Sequence, residues 1–477
     1  MKQLNRENAE VKCYKNRIIQ FGEGNFLRAF VDWMVYEMNQ KTDFDAGVTL
    51  VQPIEQGLVS MLKEQDCLYH LVLKGLEKGQ AVRTVQLIDV CNDAINPYTD
   101  YDKYMALAAD MNNRFIISNT TEAGIAFMDT DKFEDTPAKS FPGKLTQLLF
   151  TRYQLTGGAA DKGFIIIPCE LIDRNGDNLL KCIRQYIALW NLGDEFQKWV
   201  ETCNFFCNTL VDRIVPGYPR DTIKTIQEEI GYEDKLVVEG EIFHLWVIEG
   251  PSIVKEEFPT EKAGLNVLFV PSMKPYRDRK VVLLNGPHTV LSPVGYLSGL
   301  DTVRDCCEDP IIGPYVHRAM YEELLPTLDL PHEELVKFAD AVVERFRNPY
   351  VKHLVTSIML NSFPKFKTRD LPAVKLYLER KGTLPKALVL GLAAISVYYK
   401  GGQRGDEVIK PNDDQAIMDL LSNLWASNSV ETVAEGVLKA TDIWGEDLTA
   451  IVGLQDLLTQ LIESILVNGM VETVKSL

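Results

Sequence analysis

Apolar runs that alternate with helical stretches over the first half of the chain, a glycine corner after the first run, and helical periodicity almost throughout from residue 273 predict the fold. The prediction is an α/β N-terminal Rossmann-type dinucleotide-binding domain followed by a mainly α-helical C-terminal domain. The boundary is expected near residue 272, giving 1–272, with a hairpin insertion, and 273–477.

Residues 1–16 are polar and read as a lead-in. Arg17-Ile18-Ile19-Gln20-Phe21 reads as a short buried strand, and Gly22-Glu23-Gly24-Asn25-Phe26 turns into a helix near 26–39 with Leu27, Phe30, Val31, Met34, Val35 and Met38 inward. Such a corner holds a pyrophosphate, because glycine lets the backbone approach and the first helical N–H groups point at the anion. Two of the usual three glycines are present. Residues 47–54 form a second strand, with Gln52 where an acid often binds the adenosine ribose, so this position does not separate NAD from NADP. Residues 68–76 and 81–95 are extended and joined at Glu77-Lys78-Gly79-Gln80, a hairpin. The strands at 114–118 and 163–168 are continuously apolar, as a parallel sheet buried on both faces requires. The first leads into Asn119-Thr120-Thr121-Glu122-Ala123-Gly124, a loop suited either to nicotinamide or ribose contacts or to capping a helix. The second ends at Cys169 to Gly176, where open sheets bind ligands. Asp212-Arg213 reads as a buried structural ion pair.

Arg279 to Thr289 places a lysine, a carboxamide and an imidazole within nine residues among apolar neighbours. On a helix turning about 100° per residue, Lys280, Asn285 and His288 share an arc of roughly 140°. The chemistry this suggests is carbonyl/alcohol interconversion. A lysine buried beside apolar groups loses its proton nearer neutrality and can exchange it with an alcohol. Asn285 would offer an N–H to the developing oxyanion, and His288 would hold a neighbouring hydroxyl. The alternative is a surface lysine, a helix-start asparagine and a core histidine. Pro287 cannot sit in a helix interior without a kink, so a new turn is expected to open at His288.

The net charge of −17, from 50 basic and 67 acidic residues, repels phosphate backbones and anionic lipid. Nucleic acid and membrane partners are therefore not expected. The N-terminus has no apolar run of the kind a signal peptide needs, and no window is apolar enough to span a bilayer. Nine scattered cysteines without CxxC pairs read as reduced thiols in a cytoplasm. No zinc-ligand spacing occurs, so no metal is expected. Basic side chains gather at Arg345 to His353 and at Lys365, Lys367 and Arg369. They are either a solvated face or a carboxylate clamp for a small sugar-acid substrate.

Together these segments resemble the long-chain polyol dehydrogenase, or mannitol dehydrogenase, family. Ile18 to Phe30, Asn119 to Gly124, Pro168 to Gly176, Val211 to Ile214, Lys280 to His288 and Arg345 to Pro349 carry the likeness. It implies metal-independent hydride transfer with NAD, Lys280 as the catalytic lysine, Asn285 as the oxyanion asparagine and His288 as the orienting histidine. It also implies cofactor contacts from Ile18, Ile19, Gln20, Phe21, Gly22, Glu23, Gly24, Asn25, Phe26, Leu27, Arg28 and Ala29, with Asn119, Thr121 and Glu122. Substrate contacts are expected from Asn175, Arg345, Asn348 and Lys365. Two departures stand out. Leu27 and Phe30 occupy a helix where polyol-oxidising members carry histidines. Leu171 stands where many relatives have a second oxyanion asparagine, a role then left to Asn175 or to a group outside these segments.

Overall fold

The computed structural model describes residues 1–426 and 429–477. Two compact units make up the chain: Met1–Lys74 with Val82–Met273, and Gly75–Ala81 with Lys274–Leu477.

The first unit is built on six strands: β1 (Lys15–Phe21), β2 (Ala46–Val51), β3 (Cys91–Ile95), β4 (Phe115–Ser118), β5 (Ile165–Pro168) and β6 (Phe205–Phe206). They lie side by side as β3-β2-β1-β4-β5-β6, all parallel. This is the Rossmann strand order, and its direction of winding switches between β1 and β4. Alternation along each strand feeds two cores. Ile18, Phe115, Ile117, Ile165 and Ile167 pack on one face with Leu27 and Phe30; Ile19, Ile116 and Ile166 pack on the other with Leu145 and Ile183. Burial on both faces is why these runs lack polar alternation.

Helix α1 (Asn25–Lys41) follows β1, α2 (Phe141–Thr156) precedes β5, and α3 (Asn175–Leu189) follows it. The Ser140 hydroxyl starts α2 by accepting from Gly143 N at 2.9 Å, with Pro142 in the first turn.

The extended segment expected over 81–95 is two strands. Gln80–Ile88 belongs to the hairpin with Tyr69–Glu77, turned by Lys78 (φ 53°) and Gly79 (φ 76°). Left-handed φ at both turn positions matches strand twist in a two-residue hairpin. The chain then breaks step, and Cys91–Ile95 enters the main sheet beside β2. The lead-in is also tied down. Lys2–Gln3 pairs with Tyr232–Glu233, and Arg6 donates to the carbonyls of Asp89 and Cys91 at 3.1 and 2.9 Å. The Arg213 guanidinium, expected in an ion pair with Asp212, donates to the carbonyls of Phe243, Ala29 and Ile242 and lies over the Trp33 ring.

The second unit is helical: α4 (Lys274–Lys280), a π-turn (Val281–Asn285), α5 (Gly286–Leu297), α6 (His332–Phe346), α7 (Ser362–Arg369), α8 (Leu371–Lys381), α9 (Lys386–Tyr399) and α10 (Leu454–Asn468) are its main elements here. Every residue of α9 from Ala387 to Tyr399 is buried, so this helix is its axis. Helix α5 meets α9 where Gly391 faces Val290; a Cβ on Gly391 would lie 2.5 Å from Val290 Cγ1. That missing side chain sets how deeply α5 is seated. Over 351–360 the chain forms a single helical turn, Val355–Ile358. Among the described residues, no helix is long and apolar enough to cross a membrane, and the nine cysteines are free.

Candidate active site

The glycine corner closes at the switch point. Gly22 N donates to Val51 O and Asn119 N to Phe21 O, both at 3.0 Å, so the ends of β1, β2 and β4 are laced together. Gly22 has φ +114°, and a Cβ there would lie 2.7 Å from Asn119 O. Only glycine meets both conditions without strain. Gly24 caps α1 with no side-chain bond, no acid follows in the first turn, and a Cβ on it would touch nothing within 4 Å. The first N–H groups of this 17-residue helix therefore keep their open valence and favour an anion. A dinucleotide pyrophosphate fits this corner.

Most side chains expected to touch the cofactor support the corner from beneath. Ile18, Ile19, Gln20, Phe21, Leu27, Arg28 and Ala29 are sealed in the interior. Gln20 donates to Gly22 O at 3.1 Å. Arg28 donates to Glu23 O, Leu236 O and Asn25 Oδ1 at 3.1, 2.6 and 2.8 Å. Glu23 turns inward to accept from Leu58 N at 3.0 Å, and burial raises its pKa. Gly24 and Asn25 are exposed and Phe26 half-buried, so these present the surface. Gln52 is inward too. Its amide donates to Ile54 O and Glu55 O at 2.9 Å and accepts from Val59 N at 3.4 Å.

The loop after β4 is pinned by Glu170, at the end of β5. Its carboxylate accepts from Thr120 N and Thr120 Oγ1 at 2.9 Å and from Ser118 Oγ at 3.0 Å, with burial raising its pKa. Asn119 donates to Cys169 O at 3.2 Å, while Thr121 (φ +73°) and Glu122 are exposed. The sequence hint to Glu170 was an acid directly after a buried apolar strand.

Asn175 is corrected from a substrate role. Its Nδ2 donates to the carbonyls of Pro168, Glu170 and Thr209, its Oδ1 accepts from Thr209 N and Gly176 N, and it is fully buried. An amide with both ends spent holds β5 to its neighbour and cannot serve an oxyanion.

In the second unit, α4, the π-turn and α5 form one continuous helical run. Gly286 N donates to Val281 O, five residues back. Pro287 explains the widening. It has no N–H, and its ring would strike the carbonyl four residues earlier in a regular helix. A π-turn stacks residues five apart. Lys280 and Asn285 are five apart, so they are drawn onto one face more closely than the 100° rule allows. His288 follows one turn on. Lys280, Asn285 and His288 are each half-buried.

The His288 ring lies 4.2 Å from Phe346 and 5.0 Å, edge-on, from His353. Its Nε2 is sealed from solvent without a protein partner. Burial holds its pKa well below the ordinary value, with His353, Arg345 and Arg369 adding repulsion. The neutral ring offers one donor and one acceptor nitrogen. Two other residues expected to contact substrate bond the protein itself. Asn348 is buried, and its Oδ1 accepts from Tyr350 N at 3.0 Å, holding its own turn. Lys365 Nζ donates to Ile358 O at 2.7 Å. Arg369 reaches the run from Lys280 to Thr289. Its Nη1 donates to Thr289 Oγ1 at 3.2 Å, and that hydroxyl donates to Asn285 O at 3.0 Å. Arg369 also walls a cavity of about 530 Å³, floored by Val281, Val282, Ala373 and Leu376. Next to it, Asp370 is fully buried with neither oxygen partnered, and burial raises its pKa far above the carboxylate range. Nothing in the local sequence marked it.

A parallel sheet with a glycine corner at its switch point, and a helical unit carrying lysine, amide and imidazole on successive turns, define a dehydrogenase-type protein of the Rossmann class. The mannitol dehydrogenase Rossmann domain family matches residues 16–262 and the mannitol dehydrogenase C-terminal domain family residues 272–466; the chain belongs to the mannitol dehydrogenase family and is an oxidoreductase. It is 60% identical over the full length of both chains to altronate oxidoreductase of Phocaeicola vulgatus, and 46% identical over the full length of both to altronate oxidoreductase of Escherichia coli. D-sorbitol dehydrogenase in substrate-free form shares the fold with a TM-score of 0.80 at 22% identity, covering 99% of this chain and 100% of that one. Pseudomonas fluorescens mannitol 2-dehydrogenase, in ternary complex with NAD and D-mannitol, matches with a TM-score of 0.65 at 21% identity and covers 99% of each chain.

Proposed function

We propose that the protein is an NAD-dependent oxidoreductase that interconverts D-tagaturonate and D-altronate. The names of its full-length relatives support the sugar acid, and the glycine corner with an uncapped helix start supports the dinucleotide. The single observation carrying the chemistry is the π-turn that stacks Lys280 and Asn285.

Gly22, Gly24 and the first N–H groups of α1 would hold NAD, which would supply the hydride acceptor in oxidation and, as NADH, the hydride donor in reduction. Lys280 takes the hydroxyl proton of altronate as the carbonyl forms, and its ammonium returns a proton to the oxygen of tagaturonate. Asn285 donates an N–H to the oxygen while it carries negative charge. His288, kept neutral, hydrogen-bonds a neighbouring hydroxyl and fixes which carbon faces the lysine.

The test is NADH oxidation with D-tagaturonate and, in parallel, D-fructuronate, whose reduction gives mannonate. Preference for tagaturonate is expected. Preference for fructuronate reassigns the substrate, and no oxidation with either indicates an NAD-binding protein without this activity. Lys280→Ala should lower turnover by about 100-fold or more while NADH binding stays near wild type. Turnover within about tenfold of wild type removes the lysine from the mechanism.

A further inference from the structure

We propose that Arg369 is the residue that grips the carboxylate of the substrate, an assignment that rests on the sugar-acid reading above. Lys365 has one of its three N–H donors on Ile358 O, Arg279 pairs with Glu334 at 2.6 Å and Lys274 with Asp278 at 2.7 Å. Arg345 already has a partner within the protein. Arg369 makes one side-chain hydrogen bond to protein among the described residues, through Nη1 to Thr289. A guanidinium has five N–H donors in a planar fork matched to a carboxylate. One of them orients the group and the rest remain for a ligand.

Its surroundings suit that task. Asp370, the nearest acid in sequence, does not pair with it and is buried without partners. Burial pushes the Asp370 carboxyl toward its neutral form, which weakens its Coulombic pull on the guanidinium. The guanidinium is half-buried, which strengthens a charge-assisted bond relative to one in open water. It borders a cavity of small-molecule size whose apolar floor is walled by Arg277, Asp278 and Asp329, next to the run that carries Lys280, Asn285 and His288 but not lined by those three. Through the Thr289 hydroxyl it is tied to the carbonyl of Asn285, so α7, which carries the clamp, is bonded to the helical run that carries the oxyanion amide. A six-carbon keto-acid has its ketone and its carboxylate near opposite ends, and these two bonded elements would then position both.

The experiment compares D-tagaturonate with D-tagatose, which bears a hydroxymethyl group in place of the carboxylate, in the wild type, Arg369→Met and Arg369→Lys. Arg369→Met should lower kcat/KM for tagaturonate about 100-fold, mainly through KM, and lower that for tagatose far less. Arg369→Lys should restore part of the loss, and added guanidinium ion should partly rescue the methionine variant. Retained tagatose reduction and an unchanged melting temperature show that the variant is folded. Equal losses on both substrates, or an unaltered preference for the acid, overturn the assignment. Wild-type reduction of a hexulosonate with an unaffected Arg369→Met removes only the arginine, whereas a wild type that reduces no hexulosonate removes the sugar-acid reading and the arginine with it.

Discussion

The α-carbon of Gly22 faces the carbonyl of Asn119 so closely that a methyl group on it would lie 2.7 Å from the oxygen. Two residues on, Gly24 has an ordinary extended backbone and no atom near the same position. The two glycines therefore differ: the fold demands the first, while the second leaves the helix start open. Gly22→Ala should destabilise the protein by about 2 kcal/mol or more, because left-handed strain and a backbone clash combine. Gly24→Ala should cost no more than about 1 kcal/mol in stability yet weaken NADH binding, since the methyl group covers the helix start. Thermal melting and a fluorescence titration with NADH separate the two effects.

Pro287 is the cause assigned to the π-turn. Pro287→Ala restores an N–H that can close an ordinary four-residue bond. The run should relax toward regular helix and turn Lys280 away from Asn285. Turnover should fall by about tenfold or more, as misplaced catalytic groups do, while the melting temperature holds or rises. A variant with wild-type turnover would show that the π-turn does not depend on the proline or does not matter to the reaction.

Asn175 is predicted to be structural. Asn175→Ala strands the N–H groups of Thr209 and Gly176 in the interior, at about 1–3 kcal/mol for each unsatisfied group. The melting temperature should drop clearly with KM for the sugar acid unchanged. A selective rise in KM would return Asn175 to the substrate.

His244 sets an acid limit on stability. Its Nε2 accepts from Asn266 N at 2.9 Å and its Nδ1 faces Ile242 O at 3.3 Å, so the neutral ring with hydrogen on Nδ1 satisfies both. Burial first, then Arg213, lowers its pKa to about 3. The unfolded chain takes up this proton near pH 6.5 and the folded one does not. The stabilising contribution is thus complete above about pH 6.5 and is lost as pH falls toward 3, by up to about 1.4 kcal/mol per unit. His288 adds in the same direction, since burial lowers its pKa as well. His244→Gln should flatten the fall in melting temperature between neutral and acid pH. An unchanged slope would exclude this histidine.

Patterns confined to a few neighbouring residues were legible in the sequence. The runs at Ile18-Ile19, Phe115 to Ile117 and Ile165 to Ile167 announced a parallel sheet because each must fill two cores at once. Helical periodicity announced α8 and α9, Leu371–Lys381 and Lys386–Tyr399. Partnerships between distant residues were not legible. Glu170 holds a loop fifty positions earlier, and Arg369 bonds Thr289 eighty positions away. Asn175, Asn348 and Lys365 have side chains that suit a ligand, but neighbouring main-chain groups claim them first. The π-turn escaped because a 3.6-residue period was laid over a segment whose proline forbids it.

Gln52 ties together the turn that follows β2, holding Ile54, Glu55 and Val59 through one buried amide. Designers who wish to retune coenzyme preference commonly exchange the residue at this point. In this protein such an exchange would unstitch the turn before it altered recognition. Redesign would have to transplant the whole segment from 52 to 59 as a unit, with Glu23 adjusted to match, because its carboxylate accepts from Leu58.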